Sequence, residues 1–379
     1  MNRRNFVAGV SALAVAAPRL WAQSTRSLLF FGTRANAPGK GISSCYFDAK
    51  TGKATALALA AEVASPTAFA LSPNKRILYS VSETGNDGKS DGAISAFAIE
   101  PASGGLTLLN KVPSGGGGPT YLALDATART IVTSCFGSGR TNAFRLLPDG
   151  RLGDRTTTMQ DTGSGPTPRQ AGPHAHCSVF SPDNRFVLTA DLGADRIFIF
   201  RFDAATGTLT PHTPPFFHAP PGSGPRQIVF HPNGRFAYLM SELIGSVTVF
   251  GWSAKNGALT EVQTISCFPG ETQGDRSGAG LAIRQDGKFL YTTTRSDNTI
   301  EAFKVDSATG KLAMVQRVVS DGKLPWSCAL DAAGSHLITT NLNSSSASIY
   351  GLDRATGNLS PLLQLPDVPA PACAIFVPV

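Results

Sequence analysis

The chain has 379 residues, 42% of them hydrophobic and 16% charged, with 39 glycines and 26 prolines, so it holds apolar material for a large core interrupted by many turns. Its formal charge of +7 is concentrated at one end: Arg3, Arg4 and Arg19 fall in the first 22 residues, which contain no acid, and the remainder sets 30 bases against 26 acids. No Lys/Arg run marks a nucleic-acid footprint, and no apolar stretch reaches the roughly 18 to 20 residues that span a bilayer.

The amino terminus reads "NRRNFVAGVSALAVAAPRLWAQ": paired arginines, a short apolar region, then Pro18 and the small residue Ala22 before Gln23. That order predicts a Tat-type export signal over residues 1–22, with 23–379 as one mature domain. The mature chain is then expected in the periplasm or otherwise exported, without membrane contact once the signal is removed. The six cysteines (Cys45, Cys135, Cys177, Cys267, Cys328, Cys373) include no Cys-x-x-Cys pair, so neither a zinc site nor a redox motif is signalled. They are expected to be small buried apolar residues.

From residue 46 onward one phrase recurs seven times, an aromatic followed by a Gly turn: "YFDAKTGKAT", "FAIEPASGGL", "FRLLPDGRLG", "FRFDAATGTL", "FGWSAKNGAL", "FKVDSATGKL" and "YGLDRATGNL", at spacings of 47 to 56 residues. Six of them are preceded by a second phrase, such as "LSPNKRILYS", "FSPDNRFVLTA" or "FHPNGRFAYLM", in which a Pro/Asp/Gly turn joins two apolar strands. Each unit thus offers four short strands. Seven such units predict an all-β fold, a seven-bladed β-propeller with four antiparallel strands per blade. The opening "SLLFFGTRA" lacks a first strand, and the closing "PACAIFVPV" is a first strand without a successor. Together they complete one blade and close the ring.

In such a blade the first strand starts and the second strand ends at the same channel mouth. Counting back six residues from the turn slot held by Pro73, Pro182 and Pro232 gives a strand-start set of Thr67, Thr120, His176, Arg226, Ala279, Trp326 and Ala372. Counting forward gives a strand-end set that includes Glu83, Phe136, Asp191, Glu242 and Arg295, with Thr33 and Arg34 on the opening strand. Most of these slots are bland. The exceptions gather in three successive blades: His176 with His174 two residues earlier on the expected same strand face, then Arg226 and Glu242, then Arg295. His212, His218, His231 and His336 fall in outer loops or turns and are expected to be solvated, and Asp183 and Asp286 read as turn residues. No Gly-x-Ser-x-Gly elbow, His-Glu-x-x-His or calcium loop appears, so neither a metal nor a cofactor is expected.

The segments "GPHAHCSVFSPDNRFVLTADLGADRIFIFRFD", "GPRQIVFHPNGRFAYLMSELIGSVTVF" and "DGKFLYTTTRSDNTIEAF" resemble the lactonase family of seven-bladed propellers. That family includes one type of bacterial 6-phosphogluconolactonase and the fungal carboxymuconate lactonising enzymes. The resemblance implies an active site at His174 and His176, Arg226, Glu242 and Arg295. The chain departs from the family pattern at Thr294, Ser296 and Gly280, which leaves the substrate open.

Lactone opening needs an activated water, charge stabilisation on the oxyanion and a proton for the leaving alkoxide. These tasks fall to Glu242 or one histidine, to Arg226 or Arg295, and to the remaining histidine. The expected partner is a small lactone or anionic sugar acid, handled by a monomer. Two alternatives stand beside this: cyclase chemistry of the carboxymuconate type, and an exported propeller that binds without catalysis.

Overall fold

The structure, a computed structural model, describes residues 26–35, 40–268 and 276–379, so the export signal expected over 1–22 lies outside the described residues. Seven antiparallel sheets follow one another along the chain, six of four strands and one whose outer strand is split in two. Blade 1 takes its innermost strand, Pro371–Pro378, from the carboxy terminus and its second, Arg26–Thr33, from the amino-terminal side, paired from Ser27↔Pro378 to Thr33↔Pro371. The ring is closed by this pairing, as the two incomplete ends of the repeat predicted. Blades 2 to 7 begin with the inner strands Phe69–Leu71, Pro119–Leu124, Ala175–Phe180, Pro225–Phe230, Gly278–Ile283 and Pro325–Leu330. Among the described residues the helical content is a single short turn, Pro168–Gln170.

The core sits in the seams between blades. Seven apolar clusters each join two neighbouring blades; one packs Phe186 and Leu188 of blade 4 against Phe250 and Trp252 of blade 5, and another packs Ile338 and Ile349 of blade 7 against Leu29 and Phe31 of blade 1. Alternation along each strand explains the pattern, because both faces of a blade meet a neighbour and both must be apolar.

The recurring Gly meets the aromatic that follows the turn of the second phrase one blade earlier, as Gly257, Gly310 and Gly357 meet Phe186, Phe236 and Phe289. Gly310 turns the outer hairpin of blade 6 with φ of +73°, and a Cβ there would lie 2.6 Å from the ring of Phe236 in blade 5. Beside it, the Tyr238 hydroxyl donates to the Gly310 carbonyl at 3.1 Å, and Tyr79 and Tyr291 do the same to Gly150 at 2.9 Å and Gly357 at 3.0 Å in their next blades.

Three of the four outer histidines, His212, His231 and His336, differ from the expectation of solvation. His212 and His231 are buried, and their Nε2 atoms meet the carbonyls of Asn256 at 2.8 Å and Gly287 at 3.0 Å in the following blade. They staple blades, a use of imidazole that a turn position in sequence conceals. His336 is half-buried beside Asp331 at 2.8 Å, whereas His218 is exposed. The cysteines are all unpaired and five of the six are buried, with Cys328 half-buried. Asp183 and Asp286 accept from the backbone of Arg185 and Lys288 in their turns.

Candidate active site

At one end of the channel a cavity of about 450 Å³ opens between the inner strands. Six of the seven strand-start residues line it, Thr67, Thr120, His176, Arg226, Trp326 and Ala372, leaving out only Ala279; Arg34, Glu83, Phe136, Glu242 and Arg295 of the strand-end set line it as well. The reason is local. In five blades the strand-start residue is the extra residue of a β-bulge: Ala175 pairs with Asp191 and Cys177 with Ala190, leaving His176 unpaired, and Thr120, Arg226, Trp326 and Ala372 sit in the same way. A bulge releases one side chain from the up-down alternation and re-aims it.

Glu242 is the hub. Its Oε2 accepts from Arg226 Nε at 3.0 Å, and its Oε1 lies 2.8 Å from Arg295 Nη2 and 2.8 Å from Arg169 Nη2, with the carboxylate side chain 3% exposed. Burial alone would push its pKa up; the guanidiniums of Arg295 and Arg226 outweigh that and hold it down to about 2. Arg226 is itself buried, donates from Nη1 to the Ala279 carbonyl at 2.6 Å, and is brought down to about 10 by burial and by Arg295. Arg295 is oriented by Ser277 Oγ at 3.0 Å. Three guanidiniums around one carboxylate leave a surplus of two positive charges on this wall.

His176 faces that surplus. Burial first, then Arg226 and Arg295, push its pKa down to about 3 against the pull of Glu242, so the imidazole is neutral at physiological pH. Its Nδ1 is buried without a hydrogen-bond partner.

His174 goes elsewhere. The bulge at His176 breaks the two-residue alternation that would have put both rings on one face. His174 is not among the cavity's lining residues: its Nδ1 lies 2.8 Å from the Phe136 carbonyl and its ring stacks on Phe136 at 4.4 Å. The structure therefore brings together His176, Arg226, Glu242 and Arg295, and leaves His174 as a strut beside them.

Arg169 was not legible as a site residue. It lies on the short helical turn between blades 3 and 4, outside every repeat slot, and its only signal is a basic residue in the loop before "GPHAH". The neighbouring Gln170 pins that loop by donating to the Leu192 carbonyl at 2.9 Å. At the root of the same loop lie two buried carboxyls, Asp161 and Asp191, and among the described residues Asp161 Oδ1, Asp161 Oδ2 and Asp191 Oδ2 have no hydrogen-bond partner. Burial, then the neighbour's charge, pushes Asp161 well up, and burial pushes Asp191 up. A proton held by Asp161 relieves the repulsion between them. The remaining Asp191 oxygen accepts the His174 and Ala194 amides, each at 2.8 Å.

The family model described as "Lactonase, 7-bladed beta-propeller" matches residues 28–376. A 6-phosphogluconolactonase of Bacillus subtilis is 31% identical over 353 residues, covering 93% of this chain and 99% of its own length. A 6-phosphogluconolactonase of Formosa agariphila is 31% identical over 331 residues, 86% of this chain and 92% of that protein. Among solved structures, the periplasmic gluconolactonase of Pseudomonas aeruginosa superposes with a TM-score of 0.87 at 31% identity, covering 93% of this chain and 99% of that one.

Proposed function

The chain belongs to the family of seven-bladed β-propeller lactonases and is itself a lactone hydrolase, and we propose that it opens a sugar-derived aldonolactone at the cavity built on His176, Arg226, Glu242 and Arg295. The observation that carries this reading is a neutral imidazole on the same wall as a guanidinium surplus of two charges, inside a cavity of about 450 Å³. A small polar lactone fits such a space with room for the attacking water.

In this scheme neutral His176 takes a proton from water as its oxygen bonds to the lactone carbonyl carbon. The charge that develops on the carbonyl oxygen meets the guanidinium nitrogens of Arg226 and Arg295 not committed to Glu242 or to the backbone. When the ring C–O bond breaks, the imidazolium returns its proton to the departing alkoxide, so one histidine serves as base and then as acid. Glu242 does not act as the base here: with its pKa held down to about 2 and both oxygens engaged by arginines, it is a counterion that positions them. A carboxylate or phosphate on the substrate is drawn to the same wall, and its charge raises the basicity of His176 on binding.

For the amino terminus, the proposal is Tat-dependent export of a monomeric mature domain starting at Gln23. Fractionation after Arg3 and Arg4 are replaced by lysine tests the export: the protein is expected to stay in the cytoplasm. The reaction is tested with purified protein on a panel of aldonolactones, with and without a phosphate, beside muconates and their lactones. Turnover of aldonolactones supports the reading; turnover confined to the muconate arm overturns it in favour of cyclase chemistry.

A further inference from the structure

The two sides of the cavity carry different chemistry. The wall of blades 4 to 6 has the guanidinium surplus just described. Across the cavity, blades 1 and 2 present Arg34 and Glu83 as a pair of no net charge, with Glu83 Oε1 accepting from Arg34 Nη2 at 3.4 Å and from Asn86 Nδ2 at 3.2 Å. The Glu83 side chain is 7% exposed and both of these contacts fall on Oε1, which leaves Oε2 as an acceptor for a ligand. Beside it the Thr67 hydroxyl is buried without a partner. All four residues line the cavity. Trp326 of blade 7 separates the two sides: its ring carries the Arg34 guanidinium at 4.7 Å and the Arg295 guanidinium at 4.7 Å, from the neighbouring blades on either side.

We infer that Glu83, with Thr67, Arg34 and Asn86, forms a subsite that reads the hydroxyl groups of the lactone ring, and that it makes the enzyme select polyhydroxylated lactones. A carboxylate oxygen repels an acidic group and accepts from a hydroxyl; the amide, the hydroxyl and the guanidinium add donors at neighbouring positions. The division of charge also fixes the substrate's orientation, with its acidic group and reacting carbonyl toward Arg226 and Arg295 and its hydroxyls toward Glu83. Buried polar groups left unmatched penalise a ligand that lacks the complementary hydroxyls, which is the stronger form of selectivity available to a pocket.

This inference rests on the proposed aldonolactone reaction, and the experiment separates the two. Initial rates are measured on glucono-δ-lactone and on δ-valerolactone, a ring of the same size without hydroxyls, for wild type, Glu83→Ala and Thr67→Val. Glu83→Ala is expected to lower kcat/KM on gluconolactone by roughly 10- to 100-fold more than on valerolactone, the loss of a charge-assisted hydrogen bond. Thr67→Val, which keeps the shape and removes only an unpartnered hydroxyl, shifts the same ratio by about 2- to 10-fold without lowering the melting temperature. Calorimetric titration with gluconate and with valerate needs no turnover: wild type is expected to prefer gluconate, and Glu83→Ala to lose that preference. An unchanged ratio in both variants, or wild-type protein indifferent between the two acids, overturns the subsite. A protein that prefers gluconate through Glu83 but opens no lactone retains the subsite and overturns the reaction.

Discussion

Glu242→Gln tests the charge architecture directly. In the folded protein the carboxylate pKa is lowered from 4.5 to about 2, a shift worth about 3 kcal/mol of stability, present above pH 4.5 and lost as pH falls toward 2. The variant forfeits that amount at neutral pH and leaves Arg226, Arg295 and Arg169 facing one another without their shared anion, so a loss of about 3 to 5 kcal/mol follows. With roughly 2 cal/mol/K of unfolding entropy per residue over roughly 350 folded residues, the melting temperature drops by roughly 4 to 7 °C. The assay is a thermal melt of both proteins from pH 7 to pH 3. Because only wild type loses the Glu242 contribution in acid, the gap between the curves should shrink by about 2 kcal/mol by pH 3. Sulfate or phosphate should raise the melting temperature of Glu242→Gln more than that of wild type, since an added anion takes the vacated place. A gap that stays constant across this pH range, or a variant that melts with wild type at pH 7, refutes the view of Glu242 as the shared counterion.

The proposed division of labour between the histidines predicts that His176→Ala abolishes lactone opening with the melting temperature little changed, while His174→Ala keeps kcat within a few-fold and melts earlier; the reverse result in rate assays reassigns the base. With the His176 pKa down to about 3, kcat/KM should hold from neutral pH to about pH 4 and fall only below it, and an acid limb near the ordinary histidine range in a pH–rate profile contradicts the neutral, desolvated imidazole. Asp161, whose raised pKa makes its contribution greatest in acid and lost as pH rises through the folded value, should be replaceable by Asn with equal or higher stability at pH 8, read by thermal melt. Tyr238→Phe removes the hydroxyl bond to Gly310 and leaves a buried carbonyl without it, a cost of about 1 to 3 kcal/mol in denaturant unfolding.

The blades were legible because their chemistry repeats. The Gly turns recur at a near-constant spacing since each packs under the preceding blade, and "FKVDSATGKL" without its Gly310 would clash with Phe236. The inner hairpin has a constant length, so counting six residues back from the turn slot, held by Pro182, Pro232 and Ala332, reached His176, Arg226 and Trp326 without coordinates. The count assigned positions, but the bulge decided orientations, and that is why His174 and His176 parted. Arg169 was not legible since its loop between blades 3 and 4 has no counterpart elsewhere in the chain. Arg34 and Glu83 were found as slots but carried no signal of their own: a charge in a slot acquires meaning only when the cavity shows which charges share a wall.

The bulged slot also explains how one ring holds both a rigid core and a changeable site. An inner-strand residue such as Cys177 or Ile228 is fixed by the seam it fills, with no exposure at all. The bulged residue stays out of the apolar seam, because its side chain has been turned out of the sheet's alternation; where it bridges blades, as Arg226 does to the Ala279 carbonyl and Thr120 to the His176 carbonyl, it does so by a hydrogen bond. Thr120, His176, Arg226, Trp326 and Ala372 accordingly differ in size, charge and shape while their blades keep one geometry. Thr120→Ala, which loses the hydrogen bond to the His176 carbonyl and no seam packing, should cost about 1 kcal/mol in unfolding, whereas Ile228→Ala, one position outside the bulge of blade 5, should cost about 2 to 5 kcal/mol. Comparable costs at the two kinds of position in urea titrations would show that the channel lining and the seams are not separable, and the site would then have to be understood as part of the core.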